Sequence, residues 1–273
     1  MRGLIAMIFA MLAPAASAQT TMLTVTNPAC TNPAPPTAAP PPATPSVAAG
    51  VLAARNRDFA LALVNFKPLA ETGDADAQRA MGQLLMQNCT GLQDKSAGVA
   101  WLTKAAAAGN VSAQNQLASA YLRGLGVTQD DAKAFALFGQ TAAAGNAVGE
   151  SELGYLYLTG RGVPQDKYQG LQWTVKGAEQ GSAVALSNIA AAYIHGEILE
   201  RDTDRAAYFL VLTNMRASAT ERAGMMGLSQ EIRQAVSADD LAYEGKRAQR
   251  WTPGAGSLRD VLSDAEDFRK RKK

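Results

Sequence analysis

Apolar residues recur at helical spacing between residues 46 and 251, where alanine and leucine dominate. Apolar positions at i, i+3, i+4 and i+7 are typical of an amphipathic helix. One phrase returns four times in this stretch, each copy 36 residues after the last: AETGDADAQ, AAAGNVSAQ, AAAGNAVGE and AEQGSAVAL. A fixed period of this length indicates an array of repeated supersecondary units. The pattern therefore predicts an all-α chain built from helical repeats.

Two series of turn residues predict where the helices begin and end. The first series is a glycine followed by Asp, Asn or Ser, and its members are Gly73, Gly109, Gly145 and Gly181. Such a glycine takes the left-handed conformation that ends a helix, and the residue after it caps the next helix. The second series supplies the other N-caps: Asp94, Asp130, Asp166 and Asp202. Each repeat is therefore a pair of helices, A and B.

The predicted bounds follow from these two series. Helix A is expected near residues 74–88, 110–124, 146–160 and 182–196. Helix B is expected near residues 94–108, 130–144, 166–180 and 202–215.

Each helix pair has an apolar face that it cannot bury alone. In helix A the core positions recur as Ala77, Met81, Leu85; Ala113, Leu117, Tyr121; Gly149, Leu153, Tyr157; and Ala185, Ile189, Tyr193. The matched large residues of helix B are Trp101, Leu137, Trp173 and Phe209. Stacked neighbours bury such faces together. We therefore expect an α/α solenoid of about four 36-residue units with capping helices.

Two loops, YLRGLGVTQD and YLTGRGVPQD, contain the Gly-x-Gly pattern of some phosphate-binding loops. A phosphate loop has the form G-x-x-x-x-G-K-[ST] after a strand, and here both the lysine and the strand are missing. Gly124 and Gly126 stand 36 residues before Gly160 and Gly162, so both loops belong to the repeat. We expect them to connect helix A to helix B.

The first residues are typical of an export signal. Arg2 gives a positive start, residues 3–13 are apolar, and residues 16–18 form an Ala-Ser-Ala cleavage site. A membrane anchor is the alternative, but the apolar run is shorter than the roughly 20 residues that a span needs. We assign residues 1–18 to a signal peptide and expect no integral membrane segment after its removal.

Changes in composition predict the other boundaries. Residues 19–45 hold eight of the twelve prolines and are expected to form a Pro-rich, disordered spacer. The repeat array is assigned to residues 46–216, C-terminal capping helices to 217–252, and a charged tail to 253–273.

Charge and cysteine content limit the partners and the chemistry. A net charge of +2 gives no electrostatic footprint for nucleic acid. The final RKRKK follows several acids, which favours a solvated, frayed terminus over a polyanion contact. The two cysteines are Cys30 and Cys89. An oxidising compartment favours a disulfide between them, but two free thiols stay an open alternative.

The repeat resembles the Sel1-like repeat family, which is related to the tetratricopeptide repeats. The resemblance rests on LASAYLRGLGVTQDDAKAFALFGQTAAAGN and LGYLYLTGRGVPQDKYQGLQWTVKGAEQGS and covers about residues 58–216. The first unit lacks the glycine loop, since NCT stands at residues 88–90, and the fourth unit lacks the second glycine. The segment DFALALVNFKPLAET is interpreted as a lone helix B in front of the array.

Candidate chemistry is sparse. His195 is the one histidine, and its repeat equivalents Gln87, Arg123 and Thr159 are polar, so it is expected at the surface. One histidine and two cysteines do not readily build a zinc site. Some Sel1-like proteins are associated with β-lactam binding or hydrolysis, yet no serine of the mature chain begins the S-x-x-K motif. We expect neither an enzyme nor a cofactor.

The resemblance implies that helix A lines the concave side of the array. Its polar stripe, opposite the core positions, is the expected partner-binding surface. The stripe consists of Arg79, Gln83, Gln87; Asn115, Ser119, Arg123; Ser151, Tyr155, Thr159; and Ser187, Ala191, His195. Tyr155 is the first choice for an anchor, because aromatic side chains contribute strongly to interfaces.

The sequence and the resemblance together favour an exported, non-enzymatic protein-interaction scaffold of the bacterial envelope, most simply in the periplasm. The resemblance implies a sensor-kinase ectodomain or a polysaccharide-export component as the partner, and does not choose between them. Two alternatives stay open: an envelope hydrolase of β-lactamase or peptidoglycan type, and a secreted factor that binds a host protein.

Overall fold

A computed structural model describes residues 44–87, 92–254 and 256–271, and within these ranges every regular element is a helix. The chain divides into two compact units, an N-terminal unit that ends at Leu137 and a C-terminal unit that begins at Phe138. The proposed signal peptide and both cysteines, Cys30 and Cys89, lie outside the described residues. In the part that is described, no helix has both the length and the apolar content needed to cross a membrane.

Six helices begin in the N-terminal unit. They are α1 Val47–Arg55, α2 Phe59–Glu71, α3 Ala75–Met86, α4 Lys95–Ala107, α5 Val111–Arg123 and α6 Asp131–Ala143. The prediction of a lone helix in front of the array was wrong, because α1 packs against α2 and makes it half of a pair. Asp58 caps α2 by accepting a hydrogen bond from Leu61 N at 3.0 Å. Asp58 stands 36 residues before Asp94, so the N-cap series extends one repeat further back.

Eight further helices lie in the C-terminal unit. Four belong to the repeats: α7 Ala147–Thr159, α8 Lys167–Glu179, α9 Ala183–His195 and α10 Thr203–Arg216. Four follow them: α11 Ala219–Gly224, α12 Met226–Ala235, α13 Ala238–Ala248 and α14 Arg259–Arg271. All eight predicted A and B helices are present, with ends within two residues of the predicted bounds. The predicted all-α, α-solenoid fold is confirmed.

The two series of turn residues act as predicted. The four glycines that end the B helices have φ angles between 73° and 100°. The residues that cap both sets of helices accept hydrogen bonds from the first turn, at 2.8 to 3.3 Å. The Gly-x-Gly loops connect α5 to α6 and α7 to α8, and all four of their glycines have positive φ. These loops are therefore connectors, as the repeat spacing indicated.

In the first and third repeats helix A and helix B cross at a pair of glycines, here called the small-residue crossing: Gly82 with Gly98, and Gly154 with Gly170. The equivalent positions of the other two repeats are alanines, and all eight residues are buried: Gly82, Gly98, Ala118, Ala134, Gly154, Gly170, Ala190 and Ala206. A Cβ atom on Gly154 would lie 2.9 Å from Gly170 O and 2.5 Å from Thr174 Oγ1. The helix backbones at this glycine pair are therefore so close that even an alanine methyl group would overlap the neighbouring helix.

The segment that the sequence analysis assigned to a charged tail contains a packed helix, α14. Leu258, Val261 and Ala265 are each 2% exposed or less. The Tyr193 hydroxyl donates to Asp264 Oδ2 at 2.7 Å and accepts from the Arg205 guanidinium at 2.8 Å. Arg205 also donates to Asp264 and, at 3.2 Å, to Asp260. Charged groups thus dock α14 as much as its apolar residues do.

Gly154→Ala tests the small-residue crossing. The added methyl group overlaps backbone and Thr174, so we expect the free energy of unfolding to fall by about 1–3 kcal/mol. Gly139→Ala, in α6, is the matched control, because its Cβ would meet nothing within 4 Å. There the change should stabilise by about 0.5–1 kcal/mol, since alanine loses less backbone entropy in a helix. Thermal melts compare the melting temperatures of the two variants with that of the unchanged protein. Equal shifts in both variants would contradict the close crossing.

Tyr193→Phe tests the docking of α14. Burial, and then the hydrogen bond to Asp264, raise the pKa of Tyr193 above its ordinary value of 10.0. Above pH 10.0 the folded protein keeps the Tyr193 proton, whereas the unfolded chain loses it. The contribution of this hydroxyl to the free energy of unfolding is therefore complete below pH 10.0 and declines above it. The variant should lose about 1 kcal/mol at neutral pH and decline less steeply with alkaline pH. Identical alkaline slopes of melting temperature would contradict this assignment.

Candidate functional site

The predicted partner-binding stripe is not equally accessible along the chain. Three of its members are exposed, and these are Gln83, Gln87 and Arg123. Four are half-buried, and these are Arg79, Ser119, Thr159 and His195. Five are buried, and these are Asn115, Ser151, Tyr155, Ser187 and Ala191. All three exposed members lie in the N-terminal unit.

In the N-terminal unit the two arginines of the stripe are hydrogen-bonded along their own helices. Arg79 Nη1 donates to Gln83 Oε1 at 3.2 Å, and Arg79 Nε lies 3.8 Å from Asp76 Oδ1. Arg123 Nε donates to Ser119 O at 3.4 Å, at the end of α5. These contacts hold the guanidinium groups close to the helix surface while leaving them in contact with solvent.

In the C-terminal unit the same positions face protein. Ser151 is 2% exposed, and its hydroxyl donates to Ala147 O at 2.6 Å and contacts Ser182 Oγ at 2.8 Å. A Cβ atom on Gly177 of α8 would lie 2.5 Å from Ser151 Oγ, so this serine packs against α8. Tyr155 is 7% exposed, and Thr159 donates to its carbonyl oxygen at 2.8 Å. The first-choice anchor is thus a core residue, contrary to the expectation of an exposed stripe.

The expectation that His195 is a surface residue was wrong. Its side chain is 15% exposed, and Nδ1 lies 3.5 Å from Glu231 Oε1 of α12. Its Nε2 atom is buried and finds no hydrogen-bond partner within the described residues. The same holds for Ser187 Oγ and for both amide atoms of Asn188 on the same helix. Helix α12 therefore contacts the stripe at His195.

One carboxyl group in the repeats has an unusual environment. Burial raises the pKa of Glu150, although the Gln180 amide donates to it at 2.7 Å and opposes the shift. Glutamines occupy the equivalent positions of the two preceding repeats, where Gln78 and Gln114 donate to the carbonyl oxygen eight residues earlier. Glu150 therefore occupies a position at which the side chain makes a structural hydrogen bond in three successive repeats.

The stripe holds no arrangement typical of catalysis. Among the described residues no group of three or more His, Cys, Asp or Glu could hold a metal ion.

Asp130 is an N-cap rather than a member of the stripe. Hydrogen bonds from Lys133 lower the pKa of its carboxyl group, which agrees with that capping role.

Sequence reasoning missed a cleft formed by α1, α2 and α3. The cleft has a volume of about 290 Å³. It is lined by Val51, Ala54, Arg55, Phe66, Arg79, Ala80, Gln83, Leu84 and Gln87. Three stripe residues, Arg79, Gln83 and Gln87, therefore stand at its rim. Asp58 is the signal that could have located the cleft. It belongs to the series that caps the B helices, so it predicts that a further helix precedes α2.

The sequence profile of the Sel1 repeat matches four consecutive stretches, residues 75–110, 111–146, 147–182 and 183–212. Together they make up slightly more than half of the chain, and the first three begin at the first residue of α3, α5 and α7. A search of curated proteins found no match.

Solved structures that are similar to this chain include a Sel1 repeat protein and an antigen with an SLR fold. A Sel1 repeat protein from Oxalobacter formigenes is 34% identical over 42% of this chain and 88% of its own, with a TM-score of 0.41. A protective antigen present in uropathogenic Escherichia coli strains, displaying an SLR fold, is 23% identical, with a TM-score of 0.61. That match covers 82% of this chain and 47% of the antigen, so this chain spans about half of the antigen's length. This second likeness supports the fold.

Tyr155→Ala and Arg123→Ala separate core from surface within the stripe. Removal of the buried tyrosine ring should lower the free energy of unfolding by about 3–5 kcal/mol. Removal of the exposed arginine should change it by no more than about 0.5 kcal/mol. Denaturant melts followed by circular dichroism compare the two variants. A fully stable Tyr155→Ala protein would mean that this ring is not part of the core.

Proposed function

The chain belongs to the Sel1 repeat family, and from that membership we propose that it is a non-catalytic scaffold that binds a protein partner in the bacterial envelope. The Sel1-repeat fold generally serves as a scaffold for protein–protein interaction, which is the coarse part of this proposal. Its finer parts are the binding surface, the partner and the location.

One observation carries the binding surface. Gln83, Ser119 and Arg123 project from consecutive A helices of one compact unit, and each of them keeps contact with solvent. Helix α3 is held against α4 by the close approach of Gly82 and Gly98, and α5 packs against α4, so the backbones that carry these side chains are held in place. A backbone that is already ordered loses little conformational entropy when it binds. This surface of the N-terminal unit is therefore suited to a protein partner.

The envelope location is supported by the first residues of the chain. Arg2, the short apolar run and the Ala-Ser-Ala sequence at residues 16–18 fit a cleaved export signal. Within the envelope we retain two classes of partner, a sensor-kinase ectodomain and a polysaccharide-export component. A host protein becomes the alternative if the mature chain leaves the cell.

No geometry among the described residues favours the hydrolase alternative. His195 contacts Glu231 on a capping helix, and Glu150 contacts Gln180, so neither one faces a nucleophile. General acid–base catalysis requires such a group within hydrogen-bond reach of the substrate. We therefore propose binding without chemistry.

Site-specific photocrosslinking in intact cells tests the proposal. A photoreactive side chain placed at residue 83 or 123 should capture one defined envelope protein, which mass spectrometry identifies as a sensor ectodomain or an export component. The same side chain at residue 100 or 132 is the control, because Ala100 and Ala132 are exposed on B helices of the same unit. The control positions should capture much less of that protein.

Two results would contradict the proposal. Equal capture at the A-helix and B-helix positions would mean that the surface is elsewhere. Recovery of the protein from the cytoplasm after fractionation, with its first residues uncleaved, would exclude the envelope location.

A further inference from the structure

The cleft between α1, α2 and α3 has an apolar floor. Phe66 is 2% exposed and Leu84 is 3% exposed, and the half-buried Val51 stands beside them. Phe66 packs directly against α1, because a Cβ atom on Gly50 would come within 2.3 Å of its ring. Helix α1 packs on α2 and also contacts α3, so the three walls belong to one packed group. The floor is therefore preformed.

The rim of the cleft is positively charged. Arg55 is exposed at the C-terminal end of α1, and Arg79 stands on α3 with Gln83 one turn further along. No aspartate or glutamate is among the described residues that line the cleft. Asp76 lies 3.8 Å from Arg79, a separation at which a partly exposed pair gains little. Two guanidinium groups thus stand above an apolar floor with at most one weak counter-charge.

This combination selects a ligand that is both apolar and anionic. A cleft of about 290 Å³ is at the lower end of the roughly 300–1,000 Å³ of small-molecule sites, so it fits one large side chain rather than a cofactor. Guanidinium groups bind carboxylates with two parallel hydrogen bonds. We propose that this cleft binds an acidic peptide segment of another protein, with one large apolar side chain on the Phe66 floor and flanking carboxylates on Arg55 and Arg79.

The chain's own terminal segments do not supply this ligand. Residues 19–46, which precede α1, contain no aspartate or glutamate. In the C-terminal segment, Asp260 and Asp264 are already paired with Arg205, and Glu266 accepts a hydrogen bond from Tyr168. The last five residues are arginine and lysine, which Arg55 and Arg79 would repel. Charge complementarity therefore points to a second protein. This inference rests on the proposed scaffold function and names the chemistry that its partner presents at this unit.

Fluorescence anisotropy with defined peptides on the full chain tests the cleft. The probe is a fluorescein-labelled peptide in which one tryptophan is flanked on both sides by glutamates. One control peptide replaces the tryptophan with alanine, and another replaces the glutamates with lysines. We expect saturable binding of the probe, at least about tenfold weaker binding of each control peptide, and weaker probe binding as salt increases.

Protein variants locate the binding on the rim. Arg55→Gln and Arg79→Gln should each weaken probe binding about tenfold, the loss expected for a charge-assisted hydrogen bond. Lys67→Gln is the matched control, because it removes one exposed positive charge from α2 outside the cleft. It should leave the affinity unchanged. Arg55 is exposed, so its variant tests the cleft even where Arg79→Gln alters folding.

Three outcomes would overturn the inference: no saturable binding of the probe, equal binding of the alanine peptide, or equal loss of affinity in Lys67→Gln and Arg55→Gln.

The photocrosslinking experiment separates this inference from the proposed function. A partner captured at residue 123 and unaffected by Arg55→Gln would leave the scaffold in place and exclude the cleft. A probe that binds the cleft, with no partner captured in cells, would leave the site in place and exclude the scaffold function.

Discussion

The close approach of helix A and helix B at each small-residue crossing is the constraint on which the rest of the structure depends. At Gly154 and Gly170 the two backbones leave no room for a further methyl group, and alanine is the largest residue found at the equivalent sites. Because the helices cannot slide or separate there, each pair behaves as one rigid piece with a fixed inner and outer side. Large side chains such as Phe138 and Phe209 are buried, and Phe209 stacks on Tyr193 of its own helix pair. Which positions remain outside, and are thus available for binding, is decided by that arrangement.

Local features of the repeat could be predicted from the sequence because they depend on neighbours in the chain. The glycine and aspartate series placed eight helices, since a left-handed glycine and an N-cap act within one turn. Burial of the polar stripe could not be predicted in the same way. Periodicity gives the orientation of a residue on its own helix, whereas Ser151 is buried by α8 and His195 by a capping helix. Helix α1 was missed because its N-cap, Ser46, follows the Pro-rich stretch and no repeated glycine marks its end.

The last repeat and the first pair of helices present different surfaces, and each difference has a local cause. In the C-terminal unit, α12 reaches His195, and α14 is docked through Arg205, Tyr193 and the acids of its own first turns. The polar positions of the last repeat are thereby used within the chain. In the N-terminal unit, α1 is nine residues long, whereas the repeat helix α5 has thirteen. The cleft lies where this short helix meets α2 and α3.

The chemistry of that cleft bears on how such a scaffold achieves specificity. An apolar floor of this size accepts many large side chains and by itself discriminates poorly among them. Arg55 and Arg79 add the second requirement, since a partner without carboxylates would leave two cations facing apolar surface. The segment before α1 fails this requirement because residues 19–46 carry no acid, and the C-terminal acids Asp260 and Asp264 are already paired with Arg205. The charges that select an acidic partner therefore disfavour binding of the N-terminal segment and of the basic last five residues. A weak, salt-sensitive contact of this kind suits an interaction that must be reversible, and further contacts along α3 and α5 would set its overall strength.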